Sequence, residues 1–419
     1  MMNVSSLARK VPRSEISGAF ADLGLLIPLE AALIAVNGLN PTSTLLGIGV
    51  IYIAAGWYFG LPMPVQPLKA LAAIAIAREL APDVIAAGAL LMSLSLVFLA
   101  VTGLIDRLYA IVPTPVIRGV QLGLAYVLIR GAIRMLDKPL SADAAQASVD
   151  LVVGSVPLML ALAPLALLAL LLMVKRPLVP ASLAVLAVGV GVGLYLGRWE
   201  GGGTLGPSAF SMGFPGGEAF ATAAAVLLTA QLPLTVANSV IATRDAARHY
   251  FPDQAQKVTP RRLSLSIALG NLWAGLFGGL PSCHGSGGLT AHYSLGARTP
   301  LATTILGVTL IVVALAFGTL AQSTRTLIPL PFFGILLLYV GIQHIALAAN
   351  VERRSDLAFV GLAGVLTAVF DGNLAYTAGV TLAVYWATQW AMRLGPWSRP
   401  GLEPLDAKTP LPTEGSGRR

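Results

Sequence analysis

The residues with the clearest chemistry in this sequence follow an interruption of an apolar run at residues 61–69. Three prolines, the last of them Pro67, prevent a regular helix until about Pro67, which suits the first turn of one. The N-terminus of such a helix presents unpaired N–H groups and about half a positive charge. Lys69 adds a full charge, and its spacing from Gln66 predicts that both side chains lie on one helical face. The segment therefore predicts an anion-binding site.

A second interruption, at residues 280–288, contains glycines where the first contains prolines. We expect its backbone to be loose until a helix begins around Ser286. If the two helix starts face each other, their partial charges and Lys69 sum to roughly +2, which matches a divalent oxyanion. The groups expected to contact the anion at this second start are His284, Gly285, Ser286, Gly287 and Gly288.

Lys69 stands in an apolar stretch, where a charged side chain is unfavourable. Placing a lysine at the centre of a membrane helix costs about 2.5 to 3.5 kcal/mol, so its presence needs a reason. Anion binding is one reason. The alternatives are that Lys69 extends to a nearby interface or pairs with a structural carboxylate.

Three polar side chains in a later apolar run are candidates for the same site. Gln231, Thr235 and Asn238 fall on one helical stripe. Their amide and hydroxyl groups can bind an oxyanion or can join neighbouring helices. Both interpretations remain open from the sequence.

Asp22, Arg118 and Gln121 are the remaining polar candidates. Asp22 is a possible counter-ion for Lys69 or a carrier of a coupling proton. Arg118 and Gln121 share a helical face and are candidates for lining a permeation path. Because Arg118 stands at a helix start, a structural role is the favoured alternative.

The residues near His284 also allow a metal-site interpretation and, as a second functional class beside transport, a hydrolase. Cys283 and His284 are adjacent, but two ligands without a nearby carboxylate make a poor metal site, so we expect neither a metal nor a cofactor. Ser286 near His284 is compatible with an acyl-transfer pair and hence a membrane-embedded hydrolase, although no orienting acid is evident. A receptor or scaffold that transports nothing is a third class, which leaves broken buried helices unexplained.

The chain as a whole is too apolar for a water-soluble protein. Of its 419 residues, 56% are hydrophobic and 11% are charged, whereas soluble domains carry about 25% charged residues. In lipid, the backbone N–H and C=O groups must be hydrogen-bonded within the protein, and at the observed spacing of apolar stretches only helices achieve this. The sequence therefore predicts an all-α polytopic protein of the lipid bilayer. The net charge of +8 comes from basic residues scattered through loops, so we expect no nucleic-acid partner.

The prolines, glycines and charged residues that separate the apolar stretches predict about 14 transmembrane segments. The first seven are expected near residues 16–36, 43–60, 62–79, 83–104, 112–134, 150–173 and 177–197. The second seven are expected near residues 218–242, 262–279, 281–296, 300–321, 327–348, 355–370 and 374–393. The corresponding domains are a first repeat at 1–200, a linker at 201–217, a second repeat at 218–394 and a disordered tail at 395–419.

The two halves resemble each other. Residues 55–62 (AGWYFGLP) align with residues 274–281 (AGLFGGLP), and nearly the same offset aligns residues 112–115 with 328–331. Two matches in one order indicate duplication. Because seven is odd, the second copy enters the membrane from the opposite side, which predicts a 7+7 inverted repeat. Predicted segments one and eight are partners in this repeat, and we align Asp22 with Gln231 on that basis.

The basic residues predict the orientation. If both termini are cytoplasmic, few basic residues fall in outside loops. These few are Arg78, Lys138, Arg198 and Arg325. We therefore expect an integral protein of the cytoplasmic (inner) membrane with both ends inside.

Four motifs resemble the molybdate transporter branch of the sulfate permease superfamily. They are Asp22-Leu23-Gly24 and the segments 64–69, 118–123 and 280–288, with Leu68 standing where methionine is expected. The resemblance implies the fold of uracil and bicarbonate carriers, with core and gate domains and substrate between half-helices three and ten. It also implies that the chain lacks a STAS domain, as that branch does.

The expected function is secondary active transport of a tetrahedral oxyanion, most readily molybdate, by proton-coupled uptake. Sulfate is the alternative, because the two anions share charge and shape and no single side chain reports the pocket radius. The expected partners are the oxyanion, protons as a coupling ion, the lipid bilayer and, in a homodimer, a second copy of the chain.

Overall fold

The computed structural model of this chain describes most of its helical part. The described residues are 12–105, 113–136, 148–151, 154–157, 181–199, 203–210, 212–323, 326–349, 351, 354–370 and 372–394. The predicted tail at 395–419 and most of predicted segment six lie outside them.

The described chain is mainly helical, with four short strands. In chain order the elements are α1 (Arg13–Ala19), α2 (Leu23–Asn37), α3 (Pro41–Phe59), β1 (Gln66–Pro67), α4 (Lys69–Ala77), α5 (Pro82–Thr102), α6 (Thr114–Leu136), β2 (Ser148–Leu151), β3 (Gly154–Pro157), α7 (Ala181–Tyr195), α8 (Gly217–Tyr250), α9 (Pro260–Phe277), β4 (Ser282–Cys283), α10 (Ser286–Ser294), α11 (Pro300–Ser323), α12 (Leu330–Ala349), α13 (Arg354–Val369) and α14 (Leu374–Leu394).

The helical membrane class is confirmed by the lengths of these helices. Within the described ranges, five helices are long and apolar enough to cross a bilayer: α3, α5, α6, α8 and α11. Many of their large apolar side chains are exposed, as lipid-facing positions require, with Leu94 at 68% and Val312 at 56%. Such exposure over long helices is typical of a protein whose solvent is lipid.

The two predicted interruptions have the same local structure. Each begins where a long helix ends at a glycine with positive φ, Gly60 at 76° after α3 and Gly278 at 66° after α9, a conformation that favours glycine. A two-residue strand and a nine-residue helix follow in both cases. The expected extended stretches before two short helices are therefore confirmed.

The two interruptions cross each other inside the protein. Strands β1 and β4 pair antiparallel, with Gln66 opposite Cys283 and Pro67 opposite Ser282. The backbone N–H of Leu68 donates to the carbonyl of Pro281 at 2.9 Å. Because both short helices start just beyond this pairing, the crossing holds their N-termini in the interior.

Helix α4 begins later than predicted. Pro67 belongs to strand β1, Leu68 is extended with ψ 98°, and the first helical residue is Lys69. The expectation that Gln66 and Lys69 share a helical face is therefore wrong, because Gln66 lies on the strand. The expected start of α10 at Ser286 is correct.

Two other predicted segments differ from the structure. Predicted segment one is divided into α1 and α2, and Asp22 lies at the break between them. The start of predicted segment six is a β-hairpin, because β2 and β3 pair antiparallel with Leu151 opposite Gly154. Consecutive β-branched and small residues in this stretch suit a strand as well as a helix, so apolar content alone did not separate the two.

The long helices pack in two groups. In the first, which we call the core group, α3 packs against α11 and α5 packs against α9, while α4, α8 and α10 complete it. In the second, which we call the gate group, α6 packs against α12, α13 and α14. Helix α4 contacts α6 across the boundary, where a side chain on Gly131 would collide with Ala77.

Candidate functional site

A cavity of about 40 Å³ lies at the boundary between the two groups. This volume is about three times the minimum that one water molecule needs, which suits a small ion rather than a large organic molecule. The lining residues are Lys69, Gln121, Gln231, Leu234, Asn238, Ser239, Cys283 and His344. The core group supplies most of them, and Gln121 and His344 come from the gate group.

The sequence identified half of this lining. Lys69, Gln121, Gln231 and Asn238 were predicted site residues, and the fold brings them together. Leu234, Ser239, Cys283 and His344 were not predicted to line a cavity. Of these, His344 carried a usable signal, because an ionisable residue in an apolar helix is a functional candidate by default.

Lys69 supplies the charge of the cavity. It is the first residue of α4, and its ammonium forms no hydrogen bond or ion pair of 4.0 Å or less with any residue in the described ranges. The charge is therefore available to a ligand. Among the described residues, the lining contains no carboxylate, so the field inside the cavity favours an anion over a cation.

Gln231 forms a hydrogen bond with the first turn of α4, so the N–H groups of this helix start are not all free to bind an anion. Its side-chain oxygen accepts a hydrogen bond from the backbone N–H of Leu71 at 2.9 Å, and its amide nitrogen donates to Thr235 at 2.9 Å. Two residues of the predicted stripe on α8, Gln231 and Thr235, are thus hydrogen-bonded to each other. Gln231 satisfies one of the unpaired N–H groups of the helix start and also lines the cavity.

Asn238 connects the cavity to the start of α10. It lies in a π-helical stretch of α8, Thr235–Ile241, and such stretches often occur at functional sites. The hydroxyl of Ser286 donates to its side-chain oxygen at 3.0 Å. Since that oxygen is engaged, the amide nitrogen of Asn238 is the group that can donate to an anion.

Asp22 and Gln66 form a buried network beside the cavity. The Gln66 amide nitrogen donates to one Asp22 oxygen at 2.5 Å, and the Tyr52 hydroxyl donates to the other at 3.0 Å. Asp22 is therefore held by two donors and forms no ion pair with Lys69. Neither Asp22 nor Gln66 lines the cavity.

The glycines at the start of α10 make room for this network. A side chain on Gly285 would collide with the Gln66 amide oxygen, and a Cβ on Gly288 would lie 2.6 Å from the Gln66 nitrogen and 2.9 Å from an Asp22 oxygen. Gly287 has open space beside it. Two of the three predicted glycines are thus required by packing against Gln66.

His284 holds the crossing of the chain. Its Nδ1–H donates to the carbonyl of Pro64 at 2.7 Å, and its Nε2 lies 2.8 Å from the hydroxyl of Ser266. Both ring nitrogens are engaged, and Ser286 bonds Asn238 instead. Ser286 and His284 therefore do not form the acyl-transfer pair that the hydrolase interpretation requires.

Arg118 orients Gln121 on the gate side. The Arg118 guanidinium donates to the Gln121 side-chain oxygen at 3.0 Å, as their shared helical face predicts. This bond leaves the Gln121 amide nitrogen as a donor for the cavity. Arg118 itself does not line the cavity.

A larger cavity of about 640 Å³ opens between α3 and α9, and its chemistry is different. Its walls are mainly apolar, with Arg262 as their charged residue. Val50 and Leu269, at 48% and 69% exposure, line it from the outer surface. This groove faces the surroundings of the protein and does not offer convergent donors to an anion.

Comparison with known proteins identifies the family. The sequence profile described as the molybdate transporter of the MFS superfamily matches residues 14–128 and 223–343. Molybdate transporter 2 of Arabidopsis thaliana is 31% identical over 411 residues, which are 89% of this chain and 86% of that protein. The chain belongs to the molybdate transporter family. Molybdate transporter 1 of Chlamydomonas reinhardtii is 29% identical, with 86% of this chain and 88% of that protein covered.

The fold of this family member is that of known anion transporters. The transmembrane domain of the cyanobacterial bicarbonate transporter BicA matches with a TM-score of 0.64 and 17% identity, covering 88% of this chain and 98% of that one. Murine Slc26a9, an anion transporter in its inward-facing state, matches with a TM-score of 0.63 and 13% identity, covering 91% and 69%. At these identities the likeness shows the fold alone. It agrees with the predicted resemblance to sulfate permeases, whereas the family description names the MFS superfamily.

These comparisons place the chain among integral membrane transporters of anions. The curated relatives are named transporters, which supports the expectation that the chain is not an enzyme.

Proposed function

We propose that this protein is a secondary active transporter that takes up a tetrahedral oxyanion together with protons, with molybdate preferred over sulfate. The single observation that carries the proposal is the small cavity in which Lys69, without an ionic partner in the described chain, is the charged lining residue. The names of the relatives support molybdate as the substrate.

In this proposal the anion is bound by one charge and several neutral donors. Lys69 provides the charge, and the amide nitrogens of Gln121 and Asn238 and the hydroxyl of Ser239 provide hydrogen bonds. Gln231 and Ser286 position these groups. Gln66, Asp22 and His284 hold the crossing that keeps both helix starts in place.

The position of the cavity supports alternating access. Lys69 and Gln121 lie on opposite sides of the boundary between the core and gate groups. Movement of one group against the other can therefore open the cavity to either face of the membrane, as in carriers built from inverted repeats. We propose that the two crossing interruptions belong to a 7+7 inverted repeat, with both termini on the cytoplasmic side of the inner membrane.

Uptake into proteoliposomes tests the proposal. Purified protein should accumulate molybdate, measured as molybdenum content by elemental analysis, when the outside is more acidic than the inside. Empty liposomes are the control, and the pH gradient and the membrane potential are varied separately. Excess sulfate in the same assay measures selectivity. Stronger uptake of sulfate than of molybdate would favour the alternative substrate, and uptake of neither would contradict oxyanion transport.

A further inference from the structure

His344 is a cavity residue whose side chain changes from a neutral to a positively charged group when it takes up one proton. It lies on α12 in the gate group, is 5% exposed and lines the cavity opposite Lys69. Its Nδ1 lies 2.8 Å from the carbonyl oxygen of Val340. A carbonyl oxygen only accepts hydrogen bonds, so Nδ1 carries the proton in this contact.

This contact determines what His344 offers to a ligand. With the proton on Nδ1, the neutral ring presents the lone pair of Nε2, and Nε2 forms no hydrogen bond with a residue of the described chain. A lone pair cannot donate to an oxyanion, and it repels the oxygen atoms of a dianion. After one protonation, Nε2–H becomes a charged donor. While Nδ1–H stays bonded to Val340, His344 can therefore donate to the anion only as an imidazolium.

The charges around His344 make this protonation depend on the ligand. In the empty cavity, Lys69 is a positive neighbour and opposes a second positive charge. Molybdate and sulfate are dianions at neutral pH, and a bound dianion reverses this balance. One dianion, one ammonium and one imidazolium sum to zero, so the loaded cavity is neutral only when a proton enters with the anion.

The other titratable groups near α12 do not supply the second positive charge that balances the bound dianion. Cys283 lines the same cavity but becomes negative when it titrates, which an anion opposes. On α6, Arg118 is directed to Gln121. On α2, Glu30 is 3% exposed and does not line the cavity. Helix α7, which also packs against α12, contains no charged residue within its described range.

We propose that His344 carries the coupling proton: a proton from solution adds to the Nε2 lone pair as the oxyanion binds, while Nδ1–H stays bonded to Val340. This inference rests on the proposed function and names the proton-carrying residue within it. Asp22 is not the proton carrier in this proposal, because its two oxygens already accept hydrogen bonds from Gln66 and Tyr52. It also lies outside the cavity lining.

Proton uptake on binding tests the inference directly. Molybdate is added to the purified full-length protein in weakly buffered detergent solution, and a pH indicator reports the protons taken up per anion bound. We expect about one proton per anion, and an affinity that falls as the pH rises, by about tenfold per pH unit wherever one full proton is taken up with the anion. The sign follows because the loaded state holds one more proton than the empty state.

The variant His344→Gln should bind molybdate with an affinity independent of pH and take up no proton. The matched control is His249→Gln, which removes an exposed histidine at the end of α8 and should keep the wild-type proton count. His344→Asn is the second variant, with the same expected loss, and thermal melting checks that each variant is folded.

The outcomes separate the two proposals. Molybdate binding by the wild-type protein without proton uptake overturns the role of His344 and leaves oxyanion transport standing. Proton uptake that persists in both His344 variants also overturns it and assigns the proton to Asp22 or Glu30. Absence of any molybdate or sulfate binding by the folded wild-type protein overturns the proposed function itself.

Discussion

At the scale of a single residue, Lys69 is the side chain on which the binding argument depends most. Lys69→Gln keeps most of the side-chain length and its hydrogen-bonding ability but removes the charge. We expect binding to weaken by at least about 1.5 to 3 kcal/mol, or roughly tenfold or more, which is the contribution of a charged hydrogen bond. Isothermal titration of molybdate measures this change. Lys69→Arg should be only partly tolerated, because a planar guanidinium does not replace a compact ammonium in a small cavity.

The control for this prediction is Lys257→Gln, which removes an equal charge from an exposed position between α8 and α9. It should leave the affinity unchanged. If folded Lys69→Gln binds molybdate as tightly as the wild type, helix starts and neutral donors hold the anion alone, and the charge argument is wrong.

At the scale of an element, the start of α10 requires glycine because a side chain there would have no room, and not because the backbone conformation favours glycine. Gly285 has an ordinary φ of −86°, but a side chain there would collide with the amide of Gln66. Gly285→Ala should therefore displace Gln66 from Asp22 and destabilise the protein by about 1 to 3 kcal/mol, as overpacking does. Thermal unfolding in detergent measures the loss.

Gly287→Ala is the matched control for stability, since it adds the same methyl group two residues later into open space. It should change the melting temperature little. Equal destabilisation by both substitutions would show that backbone freedom, and not the space beside Gln66, is what the glycines provide.

At the scale of the whole molecule, the inverted repeat requires that two loops lie on opposite sides of the membrane. Single cysteines introduced at Gly201 and at Lys257 should react with an impermeant thiol reagent from opposite sides of sealed vesicles. The unsubstituted chain is the control, because Cys283 is its single cysteine and is buried. Labelling of both positions from one side would contradict the seven-segment count.

Local sequence determined the class of the protein, its interrupted helices and part of its site. Long apolar stretches predict membrane helices because, in lipid, the backbone N–H and C=O groups can form hydrogen bonds only with each other. Proline and glycine act on their own backbone, so the two interruptions and the start of α10 at Ser286 follow from the residues themselves. Lys69 was found for the same reason, since a charge in an apolar run is visible without a fold.

Which of these residues contact each other depends on how the helices pack. The pairing of Gln66 with Cys283, the two donors on Asp22 and the placement of His344 opposite Lys69 join parts of the chain that are far apart in sequence. Periodicity shows which face of a helix is apolar, but it does not show which other helix covers that face. Gln66 illustrates the difference, because its spacing predicted a shared face with Lys69, whereas pairing with β4 turns it towards Asp22. Contacts between distant segments depend on how all the helices pack together, and that information is not contained in any one segment.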